Sequence, residues 1–204
     1  MFLPKFATLK KNQVMKKFIL SAVALFVFGF TNAQETKAVK LGIKAGANYD
    51  WLSTGANSVY DLRPEVGYQA GLVAEFKMCD EFSFQAEALY SFSSFKFDGN
   101  GNNSNSELEI SEIAIPVLAK FYLVKGLSIE VGPQASVIVD SKANGIYANT
   151  NLRKYNVASV SGLAYDFNSG AFIQARYIYN FLDLAYGPEG NNRFGIQASV
   201  GYKF

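Results

Sequence analysis

The stretch that most constrains this chain is its last one. From Arg193 to Phe204 the residues alternate without exception. Phe194, Ile196, Ala198, Val200, Tyr202 and Phe204 fall on one face, and Arg193, Gly195, Gln197, Ser199, Gly201 and Lys203 on the other. Side chains of a strand point to opposite faces with period 2, so the segment predicts a β-strand with one apolar side. The apolar face carries aromatics to the final residue, and the other face carries Arg, Gln and Lys spaced by small residues. That is the pattern of a strand with lipid on one side and a polar interior on the other.

The same alternation recurs seven times upstream, over Leu41–Trp51, Tyr68–Met78, Phe82–Phe92, about Glu107–Val124, Leu127–Asp140, Tyr155–Phe167 and Ala171–Phe181. Two phase slips interrupt it. One, near Ser93-Ser94, predicts a β-bulge or the point where the strand leaves the membrane; the other falls near Ser111-Glu112. Pro116 cannot donate to a ladder and marks an irregular spot. Links one, three, five and seven are long and polar (Leu52–Val66, Asp98–Ser106, Ser141–Lys154, Ala185–Asn192), and the links between them are short turns. An even number of antiparallel strands with long loops at one end, each reaching the ~9–11 residues a tilted strand needs to cross a bilayer, predicts an all-β fold. The expected architecture is an eight-stranded antiparallel transmembrane up-and-down β-barrel, with every backbone polar group paired around the closed sheet.

Aromatics on the apolar faces support lipid outside. Tyr49, Trp51, Tyr177, Tyr179 and Phe194 lie beside the long links; Phe82, Phe84, Phe121, Tyr202 and Phe204 lie beside the turns. Two such rows are the girdles expected at two membrane interfaces. The opposite faces carry Lys44, Glu75, Lys77, Glu87, Lys120, Glu130, Arg176, Arg193 and Lys203. Seven of these, Lys44, Glu75, Glu87, Lys120, Glu130, Arg176 and Arg193, form the expected lumen charge network. An eight-stranded barrel is just wide enough for side chains to fill, so charges of both signs are expected to pair and plug it, with inward glycines making room for the long chains.

The N-terminal 33 residues read as a targeting segment. Met15-Lys16-Lys17 is a basic start, Phe18–Phe30 an apolar run and Thr31-Asn32-Ala33 a small-residue cleavage site, so a signal peptide cut after Ala33 is expected, preceded by a spurious upstream extension over residues 1–14. The barrel domain would then be 34–204. The run is shorter than the ~20 residues a membrane-spanning helix needs. Removing the leader's five lysines leaves 14 of the 19 basic residues against 17 acids, a net charge of −3, so nothing points to a nucleic-acid partner.

The chemistry on offer is sparse. The sequence has no His, which removes the usual base of Ser-His and Cys-His nucleophilic systems and the commonest transition-metal ligand. No enzyme activity and no cofactor are expected. Cys79 is the only cysteine and reads as an incidental turn residue. Asp98, Asn100, Asn102, Ser104, Ser106 and Glu109 have calcium-loop spacing, but Asn103 stands where that loop needs Gly, so a plain polar loop is the expectation.

Leu41-Gly42-Ile43-Lys44-Ala45-Gly46-Ala47-Asn48, Glu112-Ile113-Ala114-Ile115-Pro116-Val117-Leu118-Ala119-Lys120-Phe121, Gly132-Pro133-Gln134 and Arg176-Tyr177 resemble the outer-membrane β-barrel domain of porin-family, PorT-like proteins. The resemblance spans the mature chain and implies the cell outer membrane of a Gram-negative bacterium and a small barrel of the OmpA/OmpX type. It transfers no catalytic residue. Three functional readings stay open: a structural or interaction barrel acting through its outer loops, a small low-conductance pore, or a subunit of a secretion apparatus. The expected partners are outer-membrane lipid, the barrel-assembly machinery through the strand ending in Phe204, and an unidentified envelope or extracellular protein, with the chain itself a monomer.

Overall fold

The computed structural model describes residues 39–53, 61–98, 106–143, 153–182 and 192–204. The expected signal peptide and its cleavage site lie outside them, as does most of the calcium-spaced loop. The strands are β1 (Val39–Ser53), β2 (Asp61–Pro64), β3 (Val66–Lys77), β4 (Phe82–Asp98), β5 (Ser106–Val124), β6 (Leu127–Ala143), β7 (Tyr155–Asp166), β8 (Ala171–Asn180) and β9 (Asn192–Lys203). β2 and β3 make one stave. Both pair with β4, and the register moves by one residue at Glu65, whose N–H donates to the Ser94 carbonyl at 3.1 Å. The eight staves close into an antiparallel barrel, β1 pairing with β3 and β9 and β4 closing on β5.

The turns follow from their residues. Gly126 and Gly170 take φ of 87° and 92°, open to glycine at little cost, and they end the β5–β6 and β7–β8 hairpins. In the second, Phe167 and Ala171 close the loop with a 2.8 Å backbone bond.

Burial alternates as the sequence does, but inverted relative to a soluble sheet. Ile43, Leu72, Phe84, Val117, Leu163, Ile173 and Val200 are exposed on the outer wall, while Lys44, Glu87, Lys120, Glu130 and Arg176 are buried inside. A continuous apolar exterior around a polar interior is stable only where the surroundings are lipid.

Two expectations need correction, on Ser111-Glu112 and on the first long link, and at Ser93-Ser94 only the bulge alternative falls. The ladder between β4 and β5 runs in one register through Ser93, Ser94, Ser111 and Glu112, so neither strand has a bulge there. What changes is polarity. Beyond the bilayer edge Phe95, Leu108 and Ile110 point inward and are buried, while Lys96 and Glu109 point out. Apolar residues therefore move to the inner face as lipid gives way to water, and in sequence that inversion mimics a one-residue slip. The true irregularity near Ser111/Glu112 is on the other side, between β5 and β6, where Val139 is the extra residue. Finally, the first long link is not all loop, because it contains β2. Pro116 does mark an irregular spot: the β4–β5 register passes from Ala86↔Val117 to Leu89↔Ala114 and skips it.

Candidate functional site: the filled lumen

Register decides which inward side chains meet. Numbering the staves around the barrel, Glu75 on β3, Lys120 on β5, Asp166 on β7 and Lys203 on β9 occupy alternate staves near the turn end. Lys120 Nζ reaches Asp166 Oδ2 at 2.7 Å and Glu75 Oε2 at 3.5 Å; Lys203 Nζ reaches Asp166 Oδ1 at 2.6 Å and also pairs with Glu75. The sign of charge thus alternates around a closed ring of four. The Tyr122 hydroxyl lies within bonding distance of both Glu75 and Asp166, and Lys203 sits over the Phe172 ring at 4.9 Å.

The remaining staves supply the next layer: Lys44 on β1, Glu87 on β4, Glu130 on β6 and Arg176 on β8. Arg176 holds both oxygens of Glu87 at 2.9 and 2.7 Å and donates from Nε to Glu130 at 2.9 Å. Lys44 pairs with Glu87 at 2.9 Å and donates to Gln174 at 3.2 Å; Gln174 donates in turn to Glu130. A 3.7 Å contact between Lys120 and Glu130 links the layers. Together they hold four acids and four bases. Each unpaired charge in this buried interior would cost several kcal/mol, so the match in number and geometry is what makes the packing tolerable.

Above them lies a third group. Arg193 pairs with Glu112, whose other oxygen accepts from Ser136 Oγ at 3.1 Å. Asp50 Oδ2 accepts from Ser93 Oγ at 2.6 Å and Asn48 Nδ2 at 3.1 Å. The inner wall is not polar throughout: Leu118, Ala158, Val160 and Ile178 cluster on one flank. Small residues admit the long ones. A Cβ on Gly162 would lie 2.8 Å from Arg176 Cγ, and one on Gly195 2.1 Å from Asp50 Oδ1.

All seven network residues named from sequence, Lys44, Glu75, Glu87, Lys120, Glu130, Arg176 and Arg193, lie in the lumen and in these groups. Lys77 differs: it stands exposed at the mouth, paired with Asp80 at 2.6 Å. The seven omit Lys203, Asp50 and Asp166, which the alternation put on the polar faces, and Glu112 and Tyr122. Glu112 was hidden by the apparent slip. Uninterrupted parity from Lys120 would have placed it inward.

The outer wall carries both aromatic rows. Trp51 stacks on Phe194 at 5.6 Å and meets Tyr49 edge-on at 5.0 Å, and Tyr179 abuts Phe181, with Tyr177 two residues before it on the same face. At the turn end Phe82 contacts Phe84 and Phe121, and Tyr202 contacts Phe204.

Two mouths differ. The turn end opens as an 810 Å³ vestibule lined by Lys40, Lys77, Glu81, Asp166 and Lys203 among others, and it ends at the four-charge ring. At the long-loop end, Glu65 on the outer rim pairs with Lys96 and accepts from Ser94 Oγ at 3.0 Å; the bond from Lys96 holds its carboxyl below the ordinary value of 4.5. Among the described residues no group of three or more acids or cysteines could hold a metal.

A closed antiparallel barrel with an apolar belt and a filled polar core defines an integral outer-membrane β-barrel protein. Residues 32–186 match the family described as outer membrane protein beta-barrel domain, and the chain belongs to it. It is a protein of the outer membrane. No curated protein matches the sequence significantly. Among solved structures the fold is similar to Ail, the attachment invasion locus protein of Yersinia pestis (TM-score 0.50, 14% identity, covering 83% of this chain and 100% of that one). It is also similar to Neisserial surface protein A (TM-score 0.52, 14% identity, 80% and 97%). At such identities the likeness is one of fold.

Proposed function

We propose that this protein is a sealed scaffold: a monomeric, non-catalytic outer-membrane barrel that holds its outer loops rigidly and acts by contact with partners. The observation that supports this reading is the pair of stacked four-charge layers. Each draws one side chain from every second stave, so they fill the lumen from all sides with matched ion pairs. A water path would need these pairs to part, which leaves buried charges unpaired. The absence of His from the sequence fits a role without acid–base chemistry. Loops on a rigid scaffold are where binding is usually found.

The vestibule at the turn end favours a second reading, a small pore, because it already brings solvent to the lower ring. Single-channel recording of the refolded protein in a planar bilayer separates the two. The scaffold reading expects no openings from protein whose unboiled gel migration shows it folded. A stable, reproducible open state would replace that reading with the pore.

A further inference from the structure

The lipid-facing wall breaks its own rule at one place. Over residues 41–51, 68–76, 82–92, 113–121, 127–137, 171–181 and 194–204 every outward side chain is apolar or aromatic. On β7, Ser159 and Ser161 alternate with the buried Ala158 and Val160 and so face out. Neither hydroxyl has a hydrogen-bond partner among the described residues. Ser111, at the outer end of β5, differs: its Oγ accepts from the Tyr90 hydroxyl at 2.9 Å. A hydroxyl turned to an apolar medium without a partner is costly. The ladder sets Ser159 beside Tyr179 and Ser161 beside Tyr177. Both tyrosines belong to the outer aromatic row, and such rows sit at headgroup level.

Next to the serines the wall is recessed. Ala47, Ala198 and Ala175 are successive partners across β1, β9 and β8, and Leu163 of β7 continues their row. Larger side chains stand on either side, Tyr49, Ile196 and Tyr177 toward the long loops, Val200 and Ile173 toward the turns. Two adjoining hollows of 700 and 510 Å³ result, and they share Leu163, Ala175 and Ala198. Ser161 lines the first; the second continues to Ile173 and Leu127. A polar lip at headgroup level thus opens onto an apolar furrow that leads away from it.

We infer that this face holds a single membrane lipid in a fixed pose: Ser159 and Ser161 donate to the ester carbonyls at the head of its chains, and one acyl chain lies along the furrow over Ala175 and Ala198. The leaflet at the long-loop end supplies it, because the serines stand there. Ester carbonyls are acceptors without a donor of their own, and the two hydroxyls are donors that the barrel leaves unused. A second copy of the chain fits worse. A two-fold contact sets one patch against itself, so recess meets recess and the hollows stay unfilled. A flexible chain fills them. This inference goes beyond the scaffold reading and holds whether or not the lumen conducts.

The test is native mass spectrometry of the folded protein released from nanodiscs of dimyristoyl phosphatidylcholine, or of its ether-linked analogue, which lacks the two carbonyls. One ester lipid is expected to survive activation that strips the others, and the ether analogue to be retained at least five-fold less. Ser159→Ala with Ser161→Ala should lower retention of the ester lipid to the level of the ether. Ala175→Leu with Ala198→Leu fills the furrow and should abolish retention of both. Ala88→Leu, on the wall of β4 opposite β8, should retain the lipid as wild type does. All variants are compared at unchanged unboiled gel migration, since each alters only the outer wall. No retained lipid in the wild type overturns the inference. So does equal retention of ester and ether lipids, which would mark an apolar surface without a fixed pose, or a loss in Ala88→Leu equal to that in the furrow variant. A mass of two chains that falls to one when the furrow is filled would give the face to a second copy and overturn it as well.

Discussion

Arg176 spans the barrel to reach Glu87: β8 and β4 are diametrically opposite staves, and the guanidinium holds both carboxylate oxygens, at 2.9 and 2.7 Å. The contact works as a cross-brace, joining walls that share no hydrogen-bonded ladder. A planar fork matching a carboxylate in two places does this better than a lysine could. Removing one partner strands the other, so Glu87→Gln should leave Arg176 and Lys44 in excess and destabilise by about 3–5 kcal/mol. Arg176→Met with Glu87→Met restores the balance of the layer, with Lys44 and Glu130 remaining. The double variant should therefore cost clearly less than the sum of the two single changes. Urea unfolding midpoints of the reconstituted protein supply the cycle; additive effects would mean the two residues do not brace one another.

Gly162 should prove intolerant of any side chain. It lies across the β7–β8 ladder from Arg176, and a methyl there would meet Arg176 Cγ at 2.8 Å and the Ala175 carbonyl at 2.4 Å. Gly162→Ala is expected to cost about 1–3 kcal/mol, the usual range for an overfilled core, by pushing the guanidinium off Glu87. The same unfolding assay reads it. A stability equal to wild type would show that Arg176 can shift without loss.

The alternation of each strand was legible in the residues because lipid imposes a strict apolar face, and so were the lumen residues Lys44, Glu75, Glu87, Lys120, Glu130, Arg176 and Arg193. Their grouping was not. That Glu75 meets Lys120 and Lys203, while Glu87 meets Lys44 and Arg176, depends on the register between staves, and single-strand periodicity carries no register. The slip at Ser111-Glu112, and the bulge offered as one cause of the slip at Ser93-Ser94, misled for another reason. Periodicity assumes one environment along a strand, but β4 and β5 pass from lipid into water, and Phe95, Leu108 and Ile110 then belong inside. β2 escaped notice because four residues, one a proline, leave too short a pattern.

Trp51 offers a depth gauge, since the sequence has only one tryptophan. It belongs to the outer aromatic row and stacks on Phe194 at 5.6 Å. Tryptophans of such rows sit at headgroup level. In vesicles of lipids brominated at defined depths, quenching of its fluorescence should be strongest for bromines closest to the ester groups. Strongest quenching from deep chain positions would place the row in the middle of the bilayer and displace the whole apolar belt.

The outer rim should respond to acid through Glu65. Lys96 binds its carboxyl and lowers its pKa below the ordinary 4.5, with Ser94 adding a smaller effect in the same direction. A carboxylate depressed in the folded state adds stability that is fully present above its unfolded pKa and is lost as the pH falls through the folded value. The window therefore opens just below pH 4.5, the ordinary value of this carboxyl, and extends downward. Both partners are partly solvated, with side chains 57% and 33% exposed, so the contribution stays under about 1 kcal/mol and fades in high salt. The effect is local to the junction of β2 with β4, where the Glu65 N–H holds the Ser94 carbonyl. Amide exchange at Glu65 should accelerate on acidification, beyond the intrinsic change in exchange chemistry, in wild type. Glu65→Gln should show the faster exchange already at neutral pH and no further acid step. An acid step of equal size in that variant would assign the sensitivity to another group.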